Sequence, residues 1–109
     1  MIIEFATREL KDICENEKSM RRKYGSLCAE KIKTRLMDLL SVTNVGELIA
    51  GRPHPLKGKR LGQFSLSLHG GTKLILECAD EPIPRTCDHA IDWNAVTCVC
   101  ILSIEDYHD

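Results

Sequence analysis

One stretch of the sequence decides the fold, residues 63–78, which read QFSLSLHGGTKLILEC. Apolar and polar side chains alternate along residues 63–69, and this period of two is typical of a strand with one buried face. The pair Gly70-Gly71 marks a turn, and residues 72–78 read as the returning strand. We therefore predict a β-hairpin whose buried face carries Phe64, Leu66 and Leu68.

The register of this hairpin follows from the length of its loop. A two-residue loop would place Leu68 opposite Lys73 and set apolar side chains against charged ones along the pair. A three-residue loop, in which a glycine adopts a positive φ, aligns the apolar positions of the two strands instead. We predict the second register, which places Lys73 on the same polar face as Ser65 and Ser67.

Two amphipathic helices are predicted before the hairpin. The first covers about residues 7–16 and starts with a threonine, a residue type suited to cap a helix. The second covers about residues 26–41, where apolar side chains recur every three or four residues. The sequence leaves open whether residues 19–23 begin this second helix or precede it. A capping-box pattern at residues 44–47 predicts one further helical turn.

Strands near both ends of the chain complete the expected sheet. Residues 2–5 read as a short strand, residues 79–95 as a proline-containing acidic loop, and residues 96–104 as a central strand covered on both faces. The order is β-α-α-β-β-β. We predict an α+β fold in which two helices pack on a small twisted antiparallel sheet. A chain of 109 residues is expected to form a single domain, residues 1–109.

The composition indicates a cytoplasmic protein. The N-terminus lacks the apolar stretch of a secretory signal, and no run approaches the ~20 apolar residues of a membrane span. In a reducing compartment the six cysteines are expected to be small buried hydrophobic residues. We predict no metal and no cofactor. A zinc site is the alternative, although its spacing matches no recurrent pattern, and its ligands would be Cys78, Cys87, His89 and Cys98.

Charge is distributed unevenly, although the formal net charge is only -1. Residues 77–109 are strongly acidic, whereas residues 51–76 hold five cationic side chains and no acid. Such a basic block favours binding of a polyanion, and an ordinary solvated surface is the alternative. The five cations of the block are Arg52, Lys57, Lys59, Arg60 and Lys73.

Two polar segments stand out from this pattern. The first is His54-Pro55-Leu56-Lys57-Gly58, inside the basic block, where the proline favours an extended conformation of His54 and so directs its side chain. The second is Glu105-Asp106-Tyr107-His108, directly after the most apolar predicted strand, where ionisable groups would be held on a rigid base. Taken singly, the first is typical of a loop and the second of a solvated tail.

Taken together, these segments resemble the HigB-type toxins of the RelE/ParE superfamily, also called plasmid-maintenance killer proteins. The resemblance covers residues 52–108 and includes Arg60 and Gly62, the stretch 65–71 and the stretch 92–97. It implies the RelE-like fold of two helices against a twisted antiparallel sheet. It further implies the toxin of a type II toxin–antitoxin system, a metal-independent endoribonuclease that cleaves messenger RNA, usually on the ribosome. The RNA's own 2′-hydroxyl attacks the adjacent phosphate, and the 5′-oxygen departs.

The resemblance also assigns the site. Such a reaction needs a group that takes the 2′ proton, a group that protonates the leaving oxygen, and cations at the phosphate. We expect His54 or His108 to move protons and the lysines to hold the phosphate. Asp106 would orient a neighbour, and Tyr107 would stack on a base or bond to the backbone. The catalytic candidates are thus His54, Lys57, Lys73, Asp106, Tyr107 and His108, and the RNA-binding candidates are Arg52, Lys59 and Arg60.

One departure from the family bears on activity. Lysine stands at position 73, where the family commonly has an arginine, and an arginine can grip two phosphate oxygens at once. The implied partners are a helix-turn-helix antitoxin, messenger RNA on the ribosome, and DNA only through the antitoxin. Two alternatives stay open, a gyrase inhibitor of the same superfamily, which would lack the histidines, and a toxin-fold protein without catalysis that only binds its partner.

Overall fold

The computed structural model describes residues 1–106, so Tyr107, His108 and residue 109 lie outside it. Within these residues, three α-helices and one five-stranded sheet confirm the predicted α+β fold. The order of strands across the sheet is β1-β5-β4-β3-β2. The helices are α1 (Arg8–Glu15), α2 (Glu17–Tyr24) and α3 (Ser26–Ser41), and the strands are β1 (Ile2–Phe5), β2 (His54–Pro55), β3 (Gln63–Ser67), β4 (Thr72–Cys78) and β5 (Cys98–Asp106).

Three helices, rather than the predicted two, precede the hairpin. Helix α1 begins where expected, because the Thr7 hydroxyl accepts a hydrogen bond from the amide of Leu10 at 3.1 Å. A second cap follows at Asn16, whose side chain accepts from the amide of Ser19 at 3.0 Å. This cap starts α2, and Gly25, with φ of 82°, separates α2 from α3. Residues 19–23 therefore belong to a helix of their own.

The sheet is mixed, so the prediction of an antiparallel sheet is wrong for β1. This strand runs parallel to β5, with Ile2 opposite Cys98 and Phe5 opposite Ile101. The other neighbouring pairs are antiparallel. A parallel pair requires a long crossover connection, and here the whole chain between β1 and β5 forms it. The two-residue strand β2, absent from the predicted order, extends the other edge beside β3.

The hairpin has the predicted register. Leu66 lies opposite Leu74, and Ser67 lies opposite Lys73. The amide of Leu68 donates to the carbonyl of Thr72 at 2.9 Å, which closes a three-residue loop. Gly70 in that loop has φ of 62°, the positive value that the bulge requires.

The two faces of the sheet differ in character. One face packs on the helices, and its side chains, such as Leu66, Leu74 and Ile101, are fully buried against Ile32 and Leu39 in the same core. On the hairpin the other face carries Ser65, Ser67, Lys73 and Ile75. Ser65 and Ile75 are 1% and 0% exposed, so this second face also has a buried floor.

The cysteines are unpaired thiols and match their expectation in part. Cys28 and Cys98 are buried, and burial raises the pKa of Cys98 to about 11. Cys87 is exposed because it lies in the loop after β4. Among residues 1–106 no three His, Cys, Asp or Glu side chains are grouped as metal ligands, the four of the zinc alternative included. In the same part of the chain, no helix combines the length and apolar character needed to cross a bilayer.

Candidate active site

Strand β2 places His54 on the sheet. The amide of Ser67 donates to the carbonyl of Gly51 at 2.7 Å, and the amide of Leu56 donates to that of Gln63 at 2.9 Å. Between these bonds, His54 lies opposite Ser65. Its Nδ1 is 2.7 Å from the carbonyl oxygen of Arg52. Because a carbonyl can only accept, Nδ1 carries the proton, and the neutral ring has its lone pair on Nε2.

A buried arginine fixes the segment that leads into β2. Arg35 is 8% exposed, donates from Nε to the carbonyl of Ser67 at 3.2 Å and pairs with Asp38 at 2.9 Å. Gly51, with φ of 86°, passes so close that a Cβ on it would stand 2.5 Å from Arg35 Nε. Arg52 then adopts φ of 48°, also in the left-handed region. The chain therefore reaches His54 through a turn that is tied to α3 and β3.

Replacing Gly51 with alanine is expected to destabilise the protein by at least about 2 kcal/mol, since the positive φ alone costs roughly 1–2 kcal/mol and the clash adds to it. Arg35 cannot move aside without losing its two hydrogen bonds. Urea unfolding monitored by circular dichroism measures the loss. Gly70→Ala is the matched control, because Gly70 has φ of 62° but nothing within 4 Å of an added Cβ. Equal losses of unfolding free energy in the two variants would show that contact with Arg35 does not contribute to the effect at Gly51.

Lys73 and Glu105 lie opposite each other on β4 and β5. The ammonium group of Lys73 donates to the hydroxyl of Ser67 at 3.0 Å. The Glu105 carboxylate accepts from the guanidinium of Arg60 at 2.5 Å and from the hydroxyl of Ser103. These hydrogen bonds, that of Arg60 first, lower the pKa of Glu105 and keep it ionised at neutral pH.

The residues predicted from the sequence do not all lie together. His54, Arg60 and Lys73 lie on one side of the sheet, whereas Lys57 lines a cleft beside β2, and Arg52 and Lys59 are exposed nearby. Asp106 follows Glu105 at the end of β5, opposite Thr72. Tyr107 and His108 lie outside the described residues. We use the term polar face for the residues His54, Arg60, Ser65, Ser67, Lys73, Ser103 and Glu105.

No protein-family model and no curated protein matches the sequence. Solved structures do match: the YoeB/ParE toxin from Agrobacterium tumefaciens aligns with a TM-score of 0.62 over 99% of this chain and 100% of its own, at 12% identity. The fold is that of the YoeB/ParE toxins. The YoeB-YefM complex and the YoeB dimer, both from Staphylococcus aureus, give TM-scores of 0.59 and 0.57. Each of these covers 100% of this chain and 98% of its own, at 16% identity.

The YoeB/ParE fold agrees with the superfamily that the sequence resembles, RelE/ParE, and at these identities it establishes the fold alone. The narrower resemblance to HigB-type toxins is not confirmed by these structures. The match extends over nearly the whole of each toxin chain, and so includes the sheet that carries the polar face.

No role is assigned to Glu105 from the sequence, although this residue holds Arg60 on the polar face. The predicted strand stops at residue 104, whereas β5 continues through Asp106, so Glu105 lies inside the strand and not after it. A register shift in β4 between Ile75 and Leu76 also breaks the simple alternation along β5. Counting along β5 from the pair Cys78–Val99 would place Ile104 opposite Lys73, so only this register shift brings Glu105 there, and residue spacing alone does not reveal it.

Proposed function

We propose that this protein is the toxin of a type II toxin–antitoxin system and a metal-independent endoribonuclease that cleaves messenger RNA. One observation carries the proposal, namely that His54, Arg60 and Lys73 lie on one face of the sheet. A group able to move protons and two phosphate-binding cations are what cleavage by the RNA's own 2′-hydroxyl needs. The likeness of the fold to toxins along nearly the entire chain supports the same reading.

Nε2 of His54 is buried and must be uncovered when RNA binds. It then takes the proton of the 2′-hydroxyl as that oxygen bonds to phosphorus, and the bond from phosphorus to the 5′-oxygen breaks. The products are a 2′,3′-cyclic phosphate and a 5′-hydroxyl. Lys73 and Arg60 stabilise the charge on the phosphate, and Glu105 holds Arg60 in position.

The other candidates receive roles within the same proposal. His108 protonates the leaving oxygen, Asp106 orients a neighbouring group, and Tyr107 stacks on a base or bonds to the backbone. Arg52, Lys57 and Lys59 contact the RNA outside the scissile phosphate. No metal and no cofactor is required, because the nucleophile belongs to the substrate.

The proposed partners are messenger RNA on the ribosome and an antitoxin with a helix-turn-helix. The YoeB-YefM complex is a two-protein complex on this fold, which supports an antitoxin as the partner of this chain. The chain would act in the cytoplasm, and it would contact DNA only through the antitoxin.

The proposal is tested with the purified wild-type protein on messenger RNA, both free and bound to ribosomes. We expect fragments that end in a 2′,3′-cyclic phosphate and begin with a 5′-hydroxyl, because 2′-hydroxyl attack leaves these ends. Fragments with 5′-phosphate ends would contradict the mechanism. Growth arrest on induced expression without any RNA cleavage would instead indicate a toxin that acts by binding, such as a gyrase inhibitor. Absence of both effects would indicate an inert binder of the antitoxin.

A further inference from the structure

A cleft of about 510 Å³ lies beside β2, between the segment 55–62 and the loop 85–93. Its size is within the range of small-ligand sites in proteins. Among the described residues, basic side chains line it and no acidic one does, although the neighbouring loop carries Asp88 and Asp92. The basic lining residues are Lys57, Arg85 and His89, and the large apolar ones are Pro55, Leu56, Leu61, Ile91 and Trp93.

The outer wall of the cleft is an ordered part of the connection between β4 and β5. Arg85 forms an antiparallel bridge with Ile91, and the Arg85 guanidinium donates to the carbonyl of His89 at 2.9 Å. At the base of the loop, the carboxylate of Asp80 accepts from the amide and hydroxyl of Thr97 at 2.9 and 2.7 Å. Partial burial opposes ionisation of Asp80, but these hydrogen bonds outweigh it and lower its pKa. The cleft is therefore formed before any ligand arrives.

The cleft lies at the β2 edge of the sheet, and two of its lining residues are chain neighbours of polar-face residues. Pro55 follows His54 directly, and Leu61 follows Arg60 directly. The inner wall is Trp93, whose ring centroid lies 4.8 Å from that of Phe64, the residue opposite Pro55. Strand β2 is a two-residue edge strand, so a linear polymer with one phosphate on the polar face would reach the cleft by passing around this edge.

We propose that the cleft binds one nucleobase of the RNA next to the scissile phosphate, which rests on the function proposed above. An aromatic and aliphatic wall suits the flat face of a base, since single-stranded RNA is recognised largely by stacking of unpaired bases on such side chains. Lys57 and Arg85 hold the phosphates that flank the base. The absence of acids from the described lining favours this anionic ligand over a peptide. Binding of the base in this cleft also gives a role to Lys57, which lines the cleft.

The test uses the fluorescence of Trp93, which is the only tryptophan in the sequence. The probes are RNA hexamers of A, C, G or U with fluorine in place of every 2′-hydroxyl, which cannot be cleaved by 2′-hydroxyl attack, and an abasic hexamer with the same phosphates. We expect at least one base-bearing hexamer to quench Trp93 and the abasic hexamer not to. Leu61→Glu should weaken that binding roughly tenfold or more, because it adds a negative charge beside the phosphates. Leu61 is 79% exposed, so the variant should fold.

The control variant is Ile49→Glu, which adds the same charge at a residue that is 90% exposed and does not line the cleft. Its affinity should equal that of the wild type. The proposal would be overturned if the abasic hexamer quenched Trp93 equally, or if no hexamer quenched it. Equal losses of hexamer affinity in Leu61→Glu and Ile49→Glu would also overturn it. A change in Trp93 fluorescence with the antitoxin, and none with any hexamer, would overturn the proposal in favour of a protein ligand. Quenching by a hexamer in a protein that cleaves no messenger RNA would support the cleft while refuting the proposed enzyme.

Discussion

Replacing Lys73 with glutamine is expected to reduce RNA cleavage by roughly 100-fold or more, the usual effect of removing one group that stabilises transition-state charge. Lys73 is the cation that a strand holds rigidly on the polar face, because its backbone pairs on both sides, with Ser67 and with Glu105. Its side chain is further fixed by the hydroxyl of Ser67 at 3.0 Å. The rate should be measured as single-turnover cleavage of a ribosome-bound message.

Two further variants make this result specific. Lys59→Gln removes an exposed cation of the same basic block and should change the rate by only a few fold, mainly through weaker binding that salt also weakens. Lys73→Arg keeps the charge and adds a second phosphate-binding nitrogen, so it should match or exceed the wild-type rate. Similar losses in Lys73→Gln and Lys59→Gln, with unchanged unfolding midpoints, would refute a special role for Lys73.

Replacing His54 with alanine is expected to slow cleavage by roughly 10²–10⁴-fold, the range for a positioned general acid or base. The hydrogen bond from Nδ1 to the Arg52 carbonyl leaves the lone pair of the neutral ring on Nε2, which suits the base and not the acid. A substrate whose 5′-oxygen is replaced by sulfur distinguishes the two roles, because sulfur leaves without needing a proton. The variant should therefore remain as slow on this substrate, relative to the wild type, as on ordinary RNA.

Recovery of the His54→Ala rate on the sulfur substrate would assign His54 to the leaving group and contradict the tautomer argument. His69→Ala serves as the control, since His69 is exposed in the hairpin loop and lies outside the polar face. Its rate should equal that of the wild type on both substrates.

Local patterns were sufficient to predict the hairpin and the start of α1. The alternation in residues 63–69, the two glycines and the position of Lys73 favour this register, because a two-residue loop would set charged against apolar side chains. The cap at Thr7 acts within three residues of itself, so its signal is also local. The cap at Asn16 is equally local, but the first helix is predicted to run through about residue 16, so the start of α2 was not predicted. The direction of β1 was not predictable in this way, since its partner lies at the far end of the described chain.

The candidate site was predictable only in part, for the same physical reason. Arg60 is predicted to bind RNA, but residue spacing gives no sign that its guanidinium reaches Glu105, which is 45 residues away in the sequence. The family resemblance places Lys57 in the catalytic set with His54. The chain leaves β2 after Pro55, so strand alternation does not continue as far as Lys57, and its side chain lines the cleft. Pairings of this kind depend on packing, which residue spacing alone does not encode.

The pairing of β1 with β5 has a consequence for how the protein is made. Residues 2–5 leave the ribosome before residues 98–101 but complete their hydrogen bonds only with them. Contacts between such distant segments form late, because closing a long loop is entropically unfavourable. The same late strand brings Glu105 beside Lys73. A nascent chain therefore cannot assemble the polar face until residues 98–106 have emerged from the ribosome.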